Sequence, residues 1–137
     1  MERFLGRFEP YIYALLRIIT GFLFVWHGSQ KLFAFPPPKQ AMPLNALMAV
    51  GGAIEFFGGL MILLGLFAGF AAFIASGMMA VAYFMAHASR GFLPVENGGE
   101  LAVLYCFVFL YIAARGSGIW SLDSLLFRNK PQTFNRT

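Results

Sequence analysis

The chain has 137 residues, of which 59% are hydrophobic, 18% are aromatic and only 12% are charged. A soluble domain carries charge on about a quarter of its residues. The composition therefore excludes an ordinary soluble domain, and its apolar content also excludes a disordered chain. The net charge of +4 does not indicate nucleic-acid binding, because the basic residues stand at the ends of apolar runs, next to lipid headgroups.

Apolar runs divide the chain into four predicted membrane spans, each of which needs roughly 20 apolar residues. The proline run after the first span ends that helix, and the junction at 65–69 is so short that the second and third spans must be antiparallel neighbours. We predict an all-α fold, a single integral membrane domain over 1–137 that forms an antiparallel bundle of four transmembrane helices. The spans cover about 11–33, 44–66, 68–89 and 99–114, and a short polar cytoplasmic tail occupies 128–137.

The distribution of Lys and Arg predicts the orientation of this bundle. Four spans place both termini on one side, which carries six basic residues: Arg3, Arg7, Arg115, Arg128, Lys130 and Arg136. The opposite side carries three: Lys31, Lys39 and Arg90. Because basic residues accumulate on the cytoplasmic side, we expect both termini in the cytoplasm.

The second span contains a carboxylate deep in the membrane. Glu55 lies roughly 16 Å below the outer end of its helix, near the midplane. Ionisable groups at that depth are usually functional, so Glu55 is a candidate proton acceptor, or else a structural carboxylate paired with Arg17 or His27. We expect a structural role for Arg17. We also expect close helix packing at three glycines that recur every seven residues, Gly51, Gly58 and Gly65.

Polar residues at the outer ends of the spans form a predicted ligand-binding mouth, with a merely solvated rim as the alternative. The members of this mouth are His27, Gln30, Lys31, His87, Arg90, Asn97 and Glu100. Two histidines on different helices could ligate haem iron, but their predicted depths differ by about 5 Å. We therefore expect no haem, no metal and no tightly bound cofactor. The Phe and Met residues are expected mostly to face lipid or to pack the bundle, with the lining of a quinone slot as the alternative.

Four segments carry a resemblance to a known family: WHGSQKL at 26–32, GAIEFFGGL at 52–60, NGGELA at 97–102 and WSLD at 120–123. In this order and spacing, the chain resembles the DoxX family of small four-helix bacterial membrane proteins. The resemblance implies a multi-pass protein of the bacterial inner (plasma) membrane that takes part in a redox system. Some members resemble the membrane part of a thiosulfate:quinone oxidoreductase, and others associate with membrane-linked thiol and oxidant defence.

We therefore predict a DoxX-like membrane subunit of a quinone-linked oxidoreductase system, which oxidises a small sulfur anion or a thiol. Glu55 would move the proton, and a quinone or a partner subunit would supply the redox centre, because the chain has a single cysteine, Cys106, and no cofactor motif. The alternative is a non-catalytic accessory subunit packed against a larger membrane complex; a small-solute transporter or channel ranks third. Expected partners are membrane lipids and other membrane subunits or further copies of this chain, not nucleic acid.

Overall fold

The computed structural model describes residues 1–128, and every regular element within them is helical. The all-α prediction is thus confirmed for this part of the chain. Four long helices form the body of the protein, and a short fifth helix follows them: α1 (Glu9–Phe33), α2 (Ala46–Leu64), α3 (Ala68–Ala86), α4 (Glu100–Arg115) and α5 (Leu122–Leu126). Shorter helical turns precede α1 at Glu2–Leu5 and Gly6–Phe8, and others connect α3 to α4 at Ala88–Arg90 and Pro94–Asn97.

Three helical segments are long and apolar enough to cross a membrane: Glu2–Phe33, Ala46–Leu64 and Ala68–Arg90. The fourth, α4, has 16 residues, so it is about 24 Å long and shorter than the ~30 Å hydrocarbon core. The fourth crossing and the cytoplasmic position of the termini therefore stay predictions. The predicted tail lies outside the described residues except for Arg128, as do Lys130 and Arg136 of the orientation argument.

Local sequence explains where α2 begins and ends. The Asn45 side chain accepts a 2.9 Å hydrogen bond from the Met48 amide, which satisfies one of the free donors at the start of the helix. Gly65 ends the helix with φ +68°, a left-handed conformation that glycine adopts without strain. In the middle, the residues of Ile54–Gly58 form a π-helical turn between the α-helical segments Ala46–Ala53 and Gly59–Leu64.

Glycines bring the backbones of α1 and α2 into direct contact. A Cβ atom on Gly21 would stand 2.8 Å from the carbonyl oxygen of Gly59, and one on Gly28 would stand 2.7 Å from that of Gly52. The close contact thus involves Gly52 and Gly59, each of which follows a predicted contact residue, Gly51 or Gly58, by one position. Among residues 1–128, no atom outside its own helix lies within 4 Å of a Cβ placed on Gly58.

Gly51 likewise has open space around it, since within the described part of the chain a Cβ on it would meet only the Met78 sulfur, at 4.0 Å. Both glycine sets, 51/58 and 52/59, have the spacing of seven that keeps residues on one helix face, so the spacing alone could not choose between them. The third predicted glycine, Gly65, is tightly packed: its Cβ would stand 2.8 Å from Nη1 of Arg17.

The buried core lies where α1, α3 and α4 meet. The Phe24 ring of α1 packs against Tyr105 and Phe109 of α4, with centroid distances of 5.4 and 4.5 Å. Small residues on α3 let α4 approach closely, and the Ser76 hydroxyl donates a 2.8 Å hydrogen bond to the carbonyl of Cys106. This core closes the bundle below the outer loops and forms the floor of the site described next.

Candidate functional site

An ion pair between α1 and α2 forms the centre of the candidate site. Nζ of Lys31 lies 2.5 Å from Oε1 of Glu55, and the exposed fractions of the two side chains are 25% and 3%. The second carboxylate oxygen of Glu55, Oε2, is buried and receives no hydrogen bond from residues 1–128. Buried polar atoms are nearly always hydrogen-bonded, so this unpartnered oxygen marks a place where a ligand or a proton can bind.

The π-helical turn and the α1–α2 contact together position Glu55. Glu55 is the second residue of the π turn, and such turns are frequent at functional sites because they alter the direction of side chains locally. Gly52 and Gly59 flank the turn and hold it against α1. A long flexible side chain on α1, that of Lys31, then reaches the carboxylate.

The partner of Glu55 is therefore Lys31, and neither of the two partners considered in the sequence analysis. Arg17 lies 14 residues before Lys31 on α1, which is about 21 Å along the helix axis. His27 is one turn from Lys31, but its ring contacts Tyr105, at a centroid distance of 6.1 Å. Only the longer lysine side chain spans the distance from the outer end of α1 to the π turn.

A cavity of about 310 Å³ lies beside the ion pair and collects four of the predicted site residues: His27, Lys31, Glu55 and His87. We call it the polar cavity. Its remaining walls are mainly apolar and aromatic, from Phe24, Met79, Ala82, Ala86, Leu101 and Tyr105. A volume near 300 Å³ is at the lower end of the range for small-molecule sites, which combine such apolar walls with a few polar groups.

The two histidines stand at the polar cavity in defined surroundings. Nδ1 of His87 lies 3.2 Å from the carbonyl oxygen of Asn97. Because a carbonyl oxygen can only accept, Nδ1 is the donor in this bond, and Nε2 of the neutral ring is left as an acceptor. The His87 ring also stacks on Tyr83, at a centroid distance of 6.4 Å.

Asn97 organises the loop before α4 and does not line the polar cavity. It is 2% exposed. Its Nδ2 donates to the Tyr83 hydroxyl and to the Gly91 carbonyl, both at 3.0 Å, while its Oδ1 accepts from the Gly99 amide at 2.8 Å. With its side chain fully engaged and its carbonyl on His87, Asn97 acts as a positioning residue.

Three other residues of the predicted mouth also lie away from the polar cavity. Arg90 and Glu100 are exposed and Gln30 is half-buried, and none of the three lines it. The α4 residues that do line the polar cavity include Leu101 and Tyr105, which are four residues apart. Within α4 the spacing of four places Leu101 and Tyr105 on one helix face, and this was the signal in the sequence that could have identified Tyr105.

Arg17 occupies a separate buried position at the opposite end of the bundle. It is fully buried, and Nη1 donates to the carbonyls of Ile62 and Leu63 at 2.7 and 2.9 Å. Nη2 donates to the carbonyls of Trp120 and Ile119 at 2.7 and 3.3 Å. The cation thus satisfies carbonyls at the C-terminus of α2, a favourable place for positive charge, and joins α1 and α2 to the segment before α5.

Comparison with known proteins gives a consistent family. The sequence model of the DoxX family matches residues 12–88. A protein of Haemophilus influenzae described as uncharacterized is 41% identical over 130 residues, which cover 90% of this chain and 97% of the relative. A second uncharacterized protein of the same organism is 28% identical over 111 residues, which cover 77% of this chain and 73% of that relative. No solved structure matches the chain at a significant level.

Proposed function

The chain belongs to the DoxX family, and we propose that it is a quinone-linked membrane subunit of an oxidoreductase system in a bacterial inner membrane. One observation carries the proposal: a buried carboxylate with an unpartnered oxygen, paired to an ammonium, at the wall of the polar cavity. This arrangement offers a hydrogen-bond donor and a proton carrier to a flat headgroup held between apolar walls.

Lys31 is the binding group in this proposal. Its ammonium has three donors and gives one of them to Glu55, so further donors are available to a quinone carbonyl oxygen. Such a bond from a charged donor is shorter and stronger than a neutral one. The aromatic ring of Tyr105 on the facing wall adds apolar contact for the headgroup.

Glu55 is the proton carrier. Reduction of a quinone to the quinol takes up two electrons and two protons. The electrons come from a partner subunit with its own redox centre, which oxidises a small sulfur anion or a thiol. Glu55 passes the protons singly to the two quinone oxygens, and His27 and His87 at the outer mouth of the polar cavity reprotonate it. With both termini in the cytoplasm, that mouth faces the outside of the membrane.

The test is the Glu55→Gln variant in membranes that contain the whole system. Reduction of decyl-ubiquinone with thiosulfate or a thiol as the electron donor is the activity to measure. We expect a loss of about 100-fold or more, the usual contribution of a positioned acid or base, with normal insertion of the protein. The matched control is Glu9→Gln, which removes a carboxylate paired with Arg115 in an exposed ion pair away from the polar cavity. Wild-type turnover in Glu55→Gln would reject the proposal.

A non-catalytic accessory role is the second candidate, and an open groove between α2 and α3 favours it. The groove, of about 270 Å³, is lined by residues that include Phe57, Gly58, Phe70 and Ile74. Gly58 can receive a neighbouring helix, because no atom of the described residues outside its own helix lies within 4 Å of a Cβ placed there. In this case Glu55→Gln leaves activity intact, while Gly58→Leu releases the chain from its partner when the complex is purified. Retention of Gly58→Leu in the complex would reject it.

A further inference from the structure

A second cavity meets the polar cavity at the Lys31–Glu55 pair. It has a volume of about 210 Å³ and lies between α2 and α3, with the two residues of the pair and Ala82 and Ala86 in its wall. These same four residues also line the polar cavity. The two cavities therefore adjoin along a boundary that has the ion pair on one side and two alanines on the other.

The second cavity is apolar apart from the ion pair, and three of its residues are methionines: Met48, Met78 and Met85. We call it the methionine cavity. Methionine side chains are unbranched and flexible, so they adapt to an irregular apolar guest. Alanine at 82 and 86 leaves only a methyl group at the boundary, where a larger side chain would separate the two cavities.

The methionine cavity opens on the side of the bundle. Three of its lining residues, Leu47, Val81 and Met85, are 62%, 55% and 59% exposed. They belong to helical segments apolar enough to cross a membrane, so their exposed surfaces face the lipid. The opening between α2 and α3 is thus a lateral one, on a flank of the bundle that a membrane would cover, and the polar cavity lies beside it across the ion pair.

We propose that the ligand is an amphiphile with a long apolar tail, a tailed quinone, which enters between α2 and α3. Its headgroup occupies the polar cavity beside Lys31. Its tail passes over Ala82 and Ala86 and leaves through the methionine cavity into the lipid. This inference rests on the proposed function and adds to it the route of entry and the place of the tail, because a small water-soluble anion would leave the methionine cavity empty.

The experiment compares two probes on three proteins in lipid nanodiscs, with empty discs as the blank. The probes are decyl-ubiquinone and the same ring with a methyl group in place of the decyl tail. The proteins are the wild type, Gly51→Leu and Gly77→Leu. Gly51 lines the methionine cavity and not the polar cavity. Gly77 has open space around its Cβ position and lines neither cavity, so it is the matched control.

We expect Gly51→Leu to weaken binding of decyl-ubiquinone by roughly tenfold or more, the order of effect when a filled cavity excludes an apolar group. Binding of the tail-less ring should change by less than about twofold, and Gly77→Leu should bind both probes as the wild type does. Val81→Phe, which narrows the entrance from α3, should reproduce the effect if Gly51→Leu fails to fold.

Unchanged binding of decyl-ubiquinone in folded Gly51→Leu and Val81→Phe would overturn the inference and leave the proposed function standing. A third probe, decanoate, tests the methionine cavity without a quinone ring. If the wild type retains decanoate in a manner that depends on Gly51 but retains neither quinone, the methionine cavity takes the tail of another lipid, and both the quinone ligand and the quinone-linked function are wrong. If no tailed probe is retained by the wild type, the inference is rejected outright.

Discussion

Lys31 and Glu55 form an ion pair in which the carboxylate is almost fully buried and the ammonium is a quarter exposed. No other basic side chain among residues 1–128 lies within 4.0 Å of the Glu55 carboxylate. The stability of the outer half of the bundle therefore depends on both partners being present, because an unpaired buried charge is far more costly than a pair.

Replacement of Lys31 by Met should therefore destabilise the protein. Removal of one partner of a fully buried pair costs ~3–5 kcal/mol; since Lys31 is partly exposed, we expect about 2 kcal/mol. The measurement is the free energy of unfolding in detergent. The double variant Lys31→Met/Glu55→Gln should recover most of the loss, since the uncompensated charge is gone. Equal stability of the single and double variants would contradict this account.

The α1–α2 contact predicts that alanine substitutions at two glycines in neighbouring helices, Gly28 and Gly58, have different effects on stability. Gly28→Ala places a methyl group against the backbone of Gly52 and Phe56, so the helices must separate, at a cost of about 1–3 kcal/mol. In Gly58→Ala the new methyl group meets no atom of residues 1–128 outside its own helix within 4 Å. The substitution should be neutral or stabilising by up to ~1 kcal/mol, because alanine favours the helix. Thermal unfolding of the two variants in the same detergent measures the difference.

The fold class was accessible from the sequence because apolar runs, prolines and a short glycine-containing junction are local signals. Helix-to-helix register was not accessible in the same way. Gly51/Gly58 and Gly52/Gly59 have identical spacing in the sequence, and only the position of the facing glycines of α1, Gly21 and Gly28, decides which pair is in contact.

The candidate site was partly accessible for the same reason. Polarity at the outer ends of the helices identified Lys31 and two histidines, and the depth of a carboxylate in the second span identified Glu55. The structure brings all four to one cavity. Polarity could not show that the Asn97 side chain is hydrogen-bonded within the loop before α4, nor that Glu100 is exposed and lies outside the polar cavity. Those properties depend on three-dimensional packing, which a list of polar residues does not contain.

Asn97 provides a test of how the loop before α4 supports the site. Asn97→Ala removes three side-chain hydrogen bonds from a buried position, so we expect a loss of about 2 kcal/mol in the free energy of unfolding. Amide hydrogen exchange should increase at Gly99, whose amide loses the nearer of its two acceptors and keeps only the Pro94 carbonyl, at 3.2 Å. The control is Asn45→Ala, which removes an exposed helix cap and should cost only ~1 kcal/mol without a change at Gly99.

Arg17 gives the sharpest prediction about the opposite end of the bundle. Its planar guanidinium donates to two pairs of carbonyls, one at the end of α2 and the other at Ile119 and Trp120. Lysine keeps the charge but has a compact ammonium that cannot reach both pairs. Arg17→Lys should therefore leave buried carbonyls unpaired and lower the free energy of unfolding by about 3 kcal/mol.

The matched control for Arg17→Lys is Arg115→Lys, in the exposed ion pair with Glu9, where we expect a change below ~1 kcal/mol. Because Arg17 holds the carbonyl of Trp120, the segment before α5 should also loosen, and Trp120 fluorescence should report this at lower denaturant than global unfolding. Equal losses of stability in the two variants, or no early change at Trp120, would contradict this account. Either result would mean that Arg17 stabilises the protein through its charge and not through its four directed hydrogen bonds.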